Sequence, residues 1–100
     1  IESLLQAKWD SMKTALMGSD IETALTYFVE VKQDRYRQAF TELGADNINS
    51  RFSSITDLKL HTLYGRIGQC WAVRVESEGT FAYPVTFVKN EDGIWHILGF

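Results

Sequence analysis

The stretch Asn90–Phe100 (NEDGIWHILGF) contains a turn followed by a strand, and it is the clearest indication of fold in the chain. Residues 90 to 93 are mostly polar and end in a glycine, which is typical of a turn. Trp95 and Ile97 then point to one face and His96 to the other, because side chains alternate along a strand. This pattern predicts the last strand of a curved sheet that has one apolar face.

Three more strands are predicted in residues 56 to 89, where apolar residues recur at every second position. Glycine-containing segments at residues 64 to 68 and 77 to 80 mark turns between them. Pro84 cannot donate a backbone hydrogen bond, so it predicts a sheet edge, a bulge or a locally unpaired position. The side chains that we expect on the inner, apolar face of the sheet are Leu58, Leu60, Trp71, Val73, Val75, Phe81, Tyr83, Val85, Phe87, Trp95 and Ile97.

The first half of the chain has the spacing of amphipathic helices. An apolar stripe steps by three or four residues over residues 1 to 16, and Gly18 ends this helix. The next stripe slips around residues 30 to 32, which predicts either a kink or two separate helices. A final short helix is predicted over residues 46 to 55.

Ser19, Asp20 and Glu22 form a small polar group at the start of the second helical stretch. Ser19 and Glu22 have capping-box spacing, in which each side chain satisfies a backbone amide near the helix start. The two carboxylates could also be interpreted as an acid–base pair. Capping explains them without a substrate, and we therefore predict no catalytic residues here.

Helices followed by an antiparallel meander are typical of an α+β domain. We predict one domain over residues 1–100, with helices in about residues 2–55 and sheet in about residues 56–100. The helices are expected to pack on a curved, mostly antiparallel four-stranded sheet.

Composition excludes several classes of function. The net charge is −3 and no basic stripe is present, so nucleic acid is not an expected partner. No apolar run reaches the roughly 20 residues that a transmembrane helix needs. Cys70 is the only cysteine, which excludes an internal disulfide and a four-thiolate zinc site, and we expect it to be a small buried apolar residue. The chain begins at Ile1 without Met, so a piece of a longer protein is one expectation.

The segments Gly18–Phe28 and Phe87–Ile97, together with Phe40, resemble the nuclear transport factor two-like superfamily. This is a cystatin-like α+β roll that includes ketosteroid isomerase, scytalone dehydratase and SnoaL-type cyclases. The resemblance spans nearly the whole chain, and it is strongest to small bacterial envelope or lipoprotein-type domains. It implies an envelope or periplasmic location and the option of dimerisation through the outer sheet face.

The chain departs from the family enzymes, which place an Asp base or an Asp–His pair between sheet and helices. Tyr83 is the only titratable group among the expected inner positions, which predicts a filled interior, no cofactor and a domain that is not an enzyme. If a ligand pocket exists, the residues that we expect around it are Tyr27, Tyr36, Tyr83 and Trp95.

The outer sheet face is the alternative route to function. His61 and His96 are expected there. They could act together in metal binding or proton transfer, or they could be separate solvated side chains. Because they have no fixed carboxylate partner, we predict no metal site. The expected interface residues are Arg74, Val88, His96, Leu98 and Phe100. We predict a non-enzymatic accessory or protein-interaction domain that pairs as a homodimer or with a neighbouring domain. The alternative is a pocket that binds a small hydrophobic ligand or performs isomerase- or cyclase-like chemistry.

Overall fold

The computed structural model describes residues 1–100 and contains four helices followed by four strands. The helices are α1 (Glu2–Met17), α2 (Ile21–Leu25), α3 (Glu30–Leu43) and α4 (Ala45–Ser53). The strands are β1 (Ile55–Tyr64), β2 (Ile67–Glu76), β3 (Gly79–Lys89) and β4 (Trp95–Gly99). Consecutive strands pair antiparallel in the order β1-β2-β3-β4, which confirms the predicted α+β class. None of the four helices has the length and hydrophobicity that crossing a membrane requires.

The second helical stretch is two separate helices, as one of the predicted alternatives requires, but the break lies at residues 26 to 29 and not at the predicted residues 30 to 32, which belong to α3. In this break the backbone of Phe28 runs parallel to β4, where it forms a bridge with Ile97. The Ile97 N–H donates to the Tyr27 carbonyl at 2.7 Å, and the Val29 N–H donates to the Ile97 carbonyl at 3.0 Å. The helix ends here because these backbone groups form hydrogen bonds with the edge of β4 that faces away from β3.

The predicted capping box is wrong. Asp20, and not Ser19, is the N-cap of α2, and its Oδ1 accepts the Thr23 N–H at 3.2 Å. Ser19 has a φ of 64°, so it belongs to the turn that leaves α1. The Glu22 carboxylate bonds to Arg37 of α3 at 2.7 Å instead of to its own helix. The carboxylate therefore links two helices.

The inner face of the sheet packs against α1 and contains most of the expected residues. Leu58 of β1, Val85 and Phe87 of β3, and Trp95 and Ile97 of β4 are all buried in one core. The helical side chains of the same core are Leu5, Trp9, Met12, Leu16, Ala24, Leu25, Phe40, Ile48 and Phe52. The predicted orientation of β1, β3 and β4 is therefore confirmed over this region.

The predicted orientation of β2 is wrong. Cys70 and Ala72 lie in the core, whereas Trp71, Val73 and Val75 lie on the outer face. Because paired residues share a face, the pairing of Cys70 with Val85 places the even-numbered residues of β2 inside. We attribute this orientation to the close approach of α1 at Gly68, where an added Cβ would already lie 3.3 Å from Leu5.

A β-bulge reverses the expected orientation of the end of the chain. Phe87 pairs with Ile97, but Thr86 pairs with Gly99, so one residue of β4 has no partner. Phe100 consequently packs inside, with its ring centroid 5.3 Å from that of Trp9. The expectation that Phe100 lies on the outer face is wrong for this reason.

Pro84 lies at a sheet edge, as one of the predicted alternatives requires. β4 pairs only with Thr86–Lys89, so β3 has a neighbour on one side alone at Pro84. The Lys89 N–H donates to the Arg66 carbonyl, which directs the backbone groups of odd-numbered β3 residues toward β2. Even-numbered Pro84 therefore faces away from β2, where its missing N–H removes no ladder bond.

Candidate functional site

The outer sheet face has an apolar central part with polar side chains around and within it, and no helix covers it. None of its side chains is buried, whereas the inner face contributes to the core along all four strands. Trp71 is 38% exposed at the middle of this face, directly opposite Pro84. We use the name outer patch for six of these side chains: Ile67, Trp71, Val73, Val75, Pro84 and Val88.

Charge on the outer face is confined to one ion pair at the β1 edge. The Lys59 ammonium lies 2.9 Å from the Asp57 carboxylate. This hydrogen bond lowers the pKa of Asp57 and raises the pKa of Lys59 from their ordinary values. Both groups are thus held in their charged forms, and the pair is neutral overall.

The structure divides the predicted interface residues between the two faces. Val88 and His96 pair with one another on the outer face, and Leu98 is the unpaired residue of the β4 bulge. Arg74 and Phe100 lie on the inner face, so their placement on the outer face was wrong. The cause is the reversed orientation of β2 for Arg74 and the bulge for Phe100.

The two histidines lie on opposite edges of the sheet. The His61 ring is 5.7 Å from that of Trp71, beside the outer patch. His96 is on β4, three strand spacings away, or about 14 Å. Its Nδ1 lies 2.9 Å from the Asn90 amide nitrogen. The structure therefore does not bring the histidines together, and no group of three or more His, Cys, Asp or Glu side chains could hold a metal ion.

The inner face leaves one open cavity of about 220 Å³ beside α1 and α4, which we name the end cavity. Its lining is largely aromatic and aliphatic: Trp9, Arg51, Phe52, Ile55, Ala72, Arg74, Tyr83, Val85 and Phe100. The volume lies below the usual range of ligand pockets, which is about 300–1,000 Å³. The interior is therefore filled around the middle of the sheet, as predicted, but it is open at the end cavity.

Three polar groups of the end cavity differ in how they are satisfied. The Arg74 Nε lies 2.6 Å from the Glu76 carboxylate and 2.9 Å from the Ser54 hydroxyl, so Arg74 is occupied within the fold. Arg51 forms no ion pair. The Trp9 Nε1 is buried and has no hydrogen-bond partner in the protein. The cavity thus combines aromatic walls with one cation that has no ion-pair partner, while the unpaired Trp9 donor is buried away from the open cavity space.

The residues expected around a ligand do not come together. Tyr83 lines the end cavity, but Trp95 pairs with Lys89, which is six residues further along β3 and about 20 Å away. Tyr36 accepts the Phe100 N–H at 3.1 Å and so lies behind the cavity wall. Tyr27 contacts β4 through its backbone.

Sequence reasoning did not identify Trp9, Arg51 and Phe52 as cavity residues. Trp9 was assigned to the core through its helical spacing, which is correct, since it is buried. The available signal was the indole N–H, which requires a hydrogen-bond acceptor inside an apolar stripe. Arg51 and Phe52 gave no comparable signal, because the cavity lining combines residues of α1, α4 and three strands that are distant in the chain.

Cys70 is a structural residue. It is 2% exposed, and burial raises the pKa of its thiol to about 11. The thiol is therefore protonated near neutral pH and is a poor nucleophile. This agrees with the expected small buried apolar role.

Searches against protein-family models, curated proteins and solved structures found no match to this chain.

Proposed function

We propose that this domain is a non-enzymatic protein-interaction domain that pairs with a second copy of itself through the outer sheet face. The observation that carries the proposal is the outer patch, in which Trp71, Val73 and Val75 form an uninterrupted, solvent-accessible apolar row that no helix covers. Contiguous exposed apolar surface on a soluble domain is typical of a contact site.

The dimensions of the face fit a dimer contact. The four strands have 10, 10, 11 and 5 residues, and at about 3.3 Å per residue and about 4.8 Å between strands they make a face of roughly 500–600 Å² in projection. The accessible surface of such a face is larger than its projection and approaches the roughly 800 Å² per partner of a standard interface. An identical face on a second copy has the same extent and shape.

The charge of the face also favours a second copy as the partner. A two-fold contact brings the same patch from each chain together, so any excess of one charge would repel itself. Asp57 and Lys59 neutralise each other, and the remaining strand residues of the face carry no carboxylate, Lys or Arg. Self-association therefore encounters no like-charge repulsion.

The lining of the end cavity supports the non-enzymatic part of the proposal. No Asp, Glu, His or Cys side chain is among its residues, so Tyr83 is the only side chain of the lining with a hydroxyl that could transfer a proton. Membership of the nuclear transport factor two-like superfamily remains part of this proposal. It is supported by the N-terminal helices packed on one face of an antiparallel sheet.

The test is the concentration dependence of molecular mass by sedimentation equilibrium, for the wild type and for Trp71→Lys. We expect a wild-type dimer and a folded monomeric variant, because a charge at the centre of the contact would be desolvated without a partner. Val31→Lys on α3 is the matched control, since Val31 is exposed but lies outside the sheet. A wild-type monomer at millimolar concentration would rule out the proposed pairing.

A second candidate function is the binding of a small hydrophobic ligand in the end cavity. The specific observation is the open cavity of about 220 Å³, whose lining is largely aromatic and aliphatic. We expect saturable binding of the fluorescent probe anilinonaphthalene sulfonate, and its loss in Ile55→Trp, which adds volume at a half-buried position of the lining. Equal affinity of the folded variant would argue against this candidate.

A further inference from the structure

The edge of β3 has an unpaired section. β2 pairs with β3 over its whole length, whereas β4 pairs only with Thr86–Lys89. The residues from Thr80 to Pro84 therefore have a neighbouring strand on one side alone, and we name this section the free edge.

The hydrogen-bond groups of the free edge follow from the antiparallel ladder. Because odd-numbered β3 residues bond to β2, the even-numbered ones direct their backbone groups outward. Thr80 and Ala82 each present an N–H and a C=O, and Pro84 presents a C=O. The register between β2 and β3 has no shift, so this alternation is unbroken. The free edge is a ready template for one more strand.

The free edge runs beside the end cavity. Tyr83 lies between Ala82 and Pro84, is 44% exposed and lines the cavity. In an added strand, the residue opposite Tyr83 would have its side chain on the inner face, with the two Cβ atoms about 4.5–5.5 Å apart. That side chain would therefore reach the mouth of the end cavity.

The cavity defines which side chains would fit. Its aromatic walls at Phe52, Tyr83 and Phe100 favour an apolar or aromatic side chain. Arg51 has no ion-pair partner, whereas Arg74 is neutralised by Glu76, so one positive charge is available to a carboxylate. Residues two apart on a strand share a face, so a carboxylate two positions from the apolar side chain would also lie on the inner side of the sheet, where Arg51 lines the cavity.

We propose that the free edge of β3 binds an extended peptide segment of a partner protein by strand addition. An apolar side chain of the peptide occupies the end cavity, and an acidic side chain two residues away meets Arg51. Main-chain bonds to Thr80, Ala82 and Pro84 supply affinity, and the cavity supplies specificity. The missing donor at Pro84 and the start of the β4 pairing at Thr86 limit the added strand to this short section. This site shares only Pro84 with the outer patch: strand addition uses the Pro84 backbone carbonyl at the sheet edge, whereas the outer patch uses its ring.

The probe is a capped synthetic peptide of alternating Thr and Ser with one Phe and, two residues later, one Glu. A titration followed by amide chemical shifts should shift the resonances of Thr80, Ala82 and Arg51, and leave those of outer-face amides far from the edge unchanged.

Two N-methylated peptides test the main-chain bonds. Methyl groups on the amides that face β3 should abolish binding, and methyl groups on the opposite edge should leave it unchanged. Equal binding of both peptides would overturn strand addition.

Protein variants supply an independent test. Ala82→Pro removes an N–H that has no partner in the fold, and it should weaken peptide binding at least about tenfold. Arg51→Gln should weaken the Glu peptide about tenfold but not a Gln peptide, whereas Arg35→Gln on α3 should affect neither. Trp71→Lys should leave binding intact, which separates this proposal from outer-face pairing. Failure of all peptides to bind at millimolar concentration, or equally tight binding of free acetyl-phenylalanine amide, would reject the proposal.

Discussion

Gly68 of β2 lies directly against Leu5 of α1. A Cβ added to Gly68 would be 3.3 Å from the Leu5 Cδ1 and 3.6 Å from a ring carbon of Trp95. The helix and the sheet are therefore in contact with almost no space between them at this point. This closeness explains why β2 presents glycine, cysteine and alanine to the core and directs Trp71 outward.

Gly68→Val should destabilise the domain by about 1–3 kcal/mol, because added methyl groups would force the packed side chains of Leu5 and Trp95 to move. Urea denaturation followed by circular dichroism measures the change. Gln69→Val is the matched control, since Gln69 is exposed on the outer face of the same strand. We expect the control to be near neutral, and equal destabilisation by both variants would contradict this packing.

Trp95→Ala and Trp71→Ala should differ widely in their effect on the free energy of unfolding. Trp95 is 5% exposed within the core, and truncation of such a residue costs about 3–5 kcal/mol. Trp71 lies on the uncovered face, so its truncation should cost less than half as much in the monomer. Thermal unfolding at low protein concentration measures both, and the reverse order would show that the two faces are misassigned.

Tyr36→Phe should destabilise the domain by about 0.5–1.5 kcal/mol. The Tyr36 hydroxyl accepts the Phe100 N–H at 3.1 Å and donates to the Phe100 carbonyl at 3.4 Å, so it attaches the end of the sheet to α3. Tyr64→Phe is the control, because Tyr64 is 82% exposed and its hydroxyl makes no hydrogen bond in the protein. Equal melting temperatures for the two variants would show that these bonds contribute nothing.

Stability should fall as the pH is lowered below the ordinary range of carboxylates, about 3.9–4.3. Hydrogen bonds from Thr23 lower the pKa of Asp20, and the hydrogen bond with Arg37 lowers the pKa of Glu22. A carboxylate with a lowered folded-state pKa stabilises above its unfolded-state pKa, and this contribution is lost as the pH falls through the folded value. Melting temperatures across this range should therefore decline less steeply for Glu22→Gln than for the wild type. Glu91→Gln, which removes the same charge without an ion pair, should retain the wild-type slope.

Cys70 should react at least about a hundredfold more slowly with an aromatic disulfide reagent in the native state than in denaturant. Its thiol is buried, so the reagent has little access to it. Burial also raises the pKa of the thiol to about 11, so only a small fraction is the reactive thiolate. Gln69→Cys in a Cys70→Ala background is the control, because position 69 is exposed on the neighbouring outer face. Rapid native labelling of Cys70 would contradict its burial.

Periodicity in the chain was sufficient to predict where helices give way to strands and which side chains of β3 and β4 enter the core. Val85, Phe87, Trp95 and Ile97 are apolar and spaced by two within each strand, and the polar residues Thr86 and His96 between them favour this choice of face. The end of α1 at Gly18 and the interruption before α3 were visible for the same reason. Each depends on residues that are close together in the chain.

β2 offered no such single choice, because small residues at Cys70 and Ala72 alternate with large ones at Trp71 and Val73. Hydrophobicity favoured the large residues Trp71 and Val73 for the core. The short distance between β2 and α1 excluded them, and it involves a contact with Leu5, which is more than sixty positions away in the chain. The β4 bulge that turns Phe100 inward and the free edge at Pro84 likewise arise from pairing between strands. Local spacing thus defines each element by itself, whereas steric fit between elements distant in the chain determines which surfaces remain open for binding.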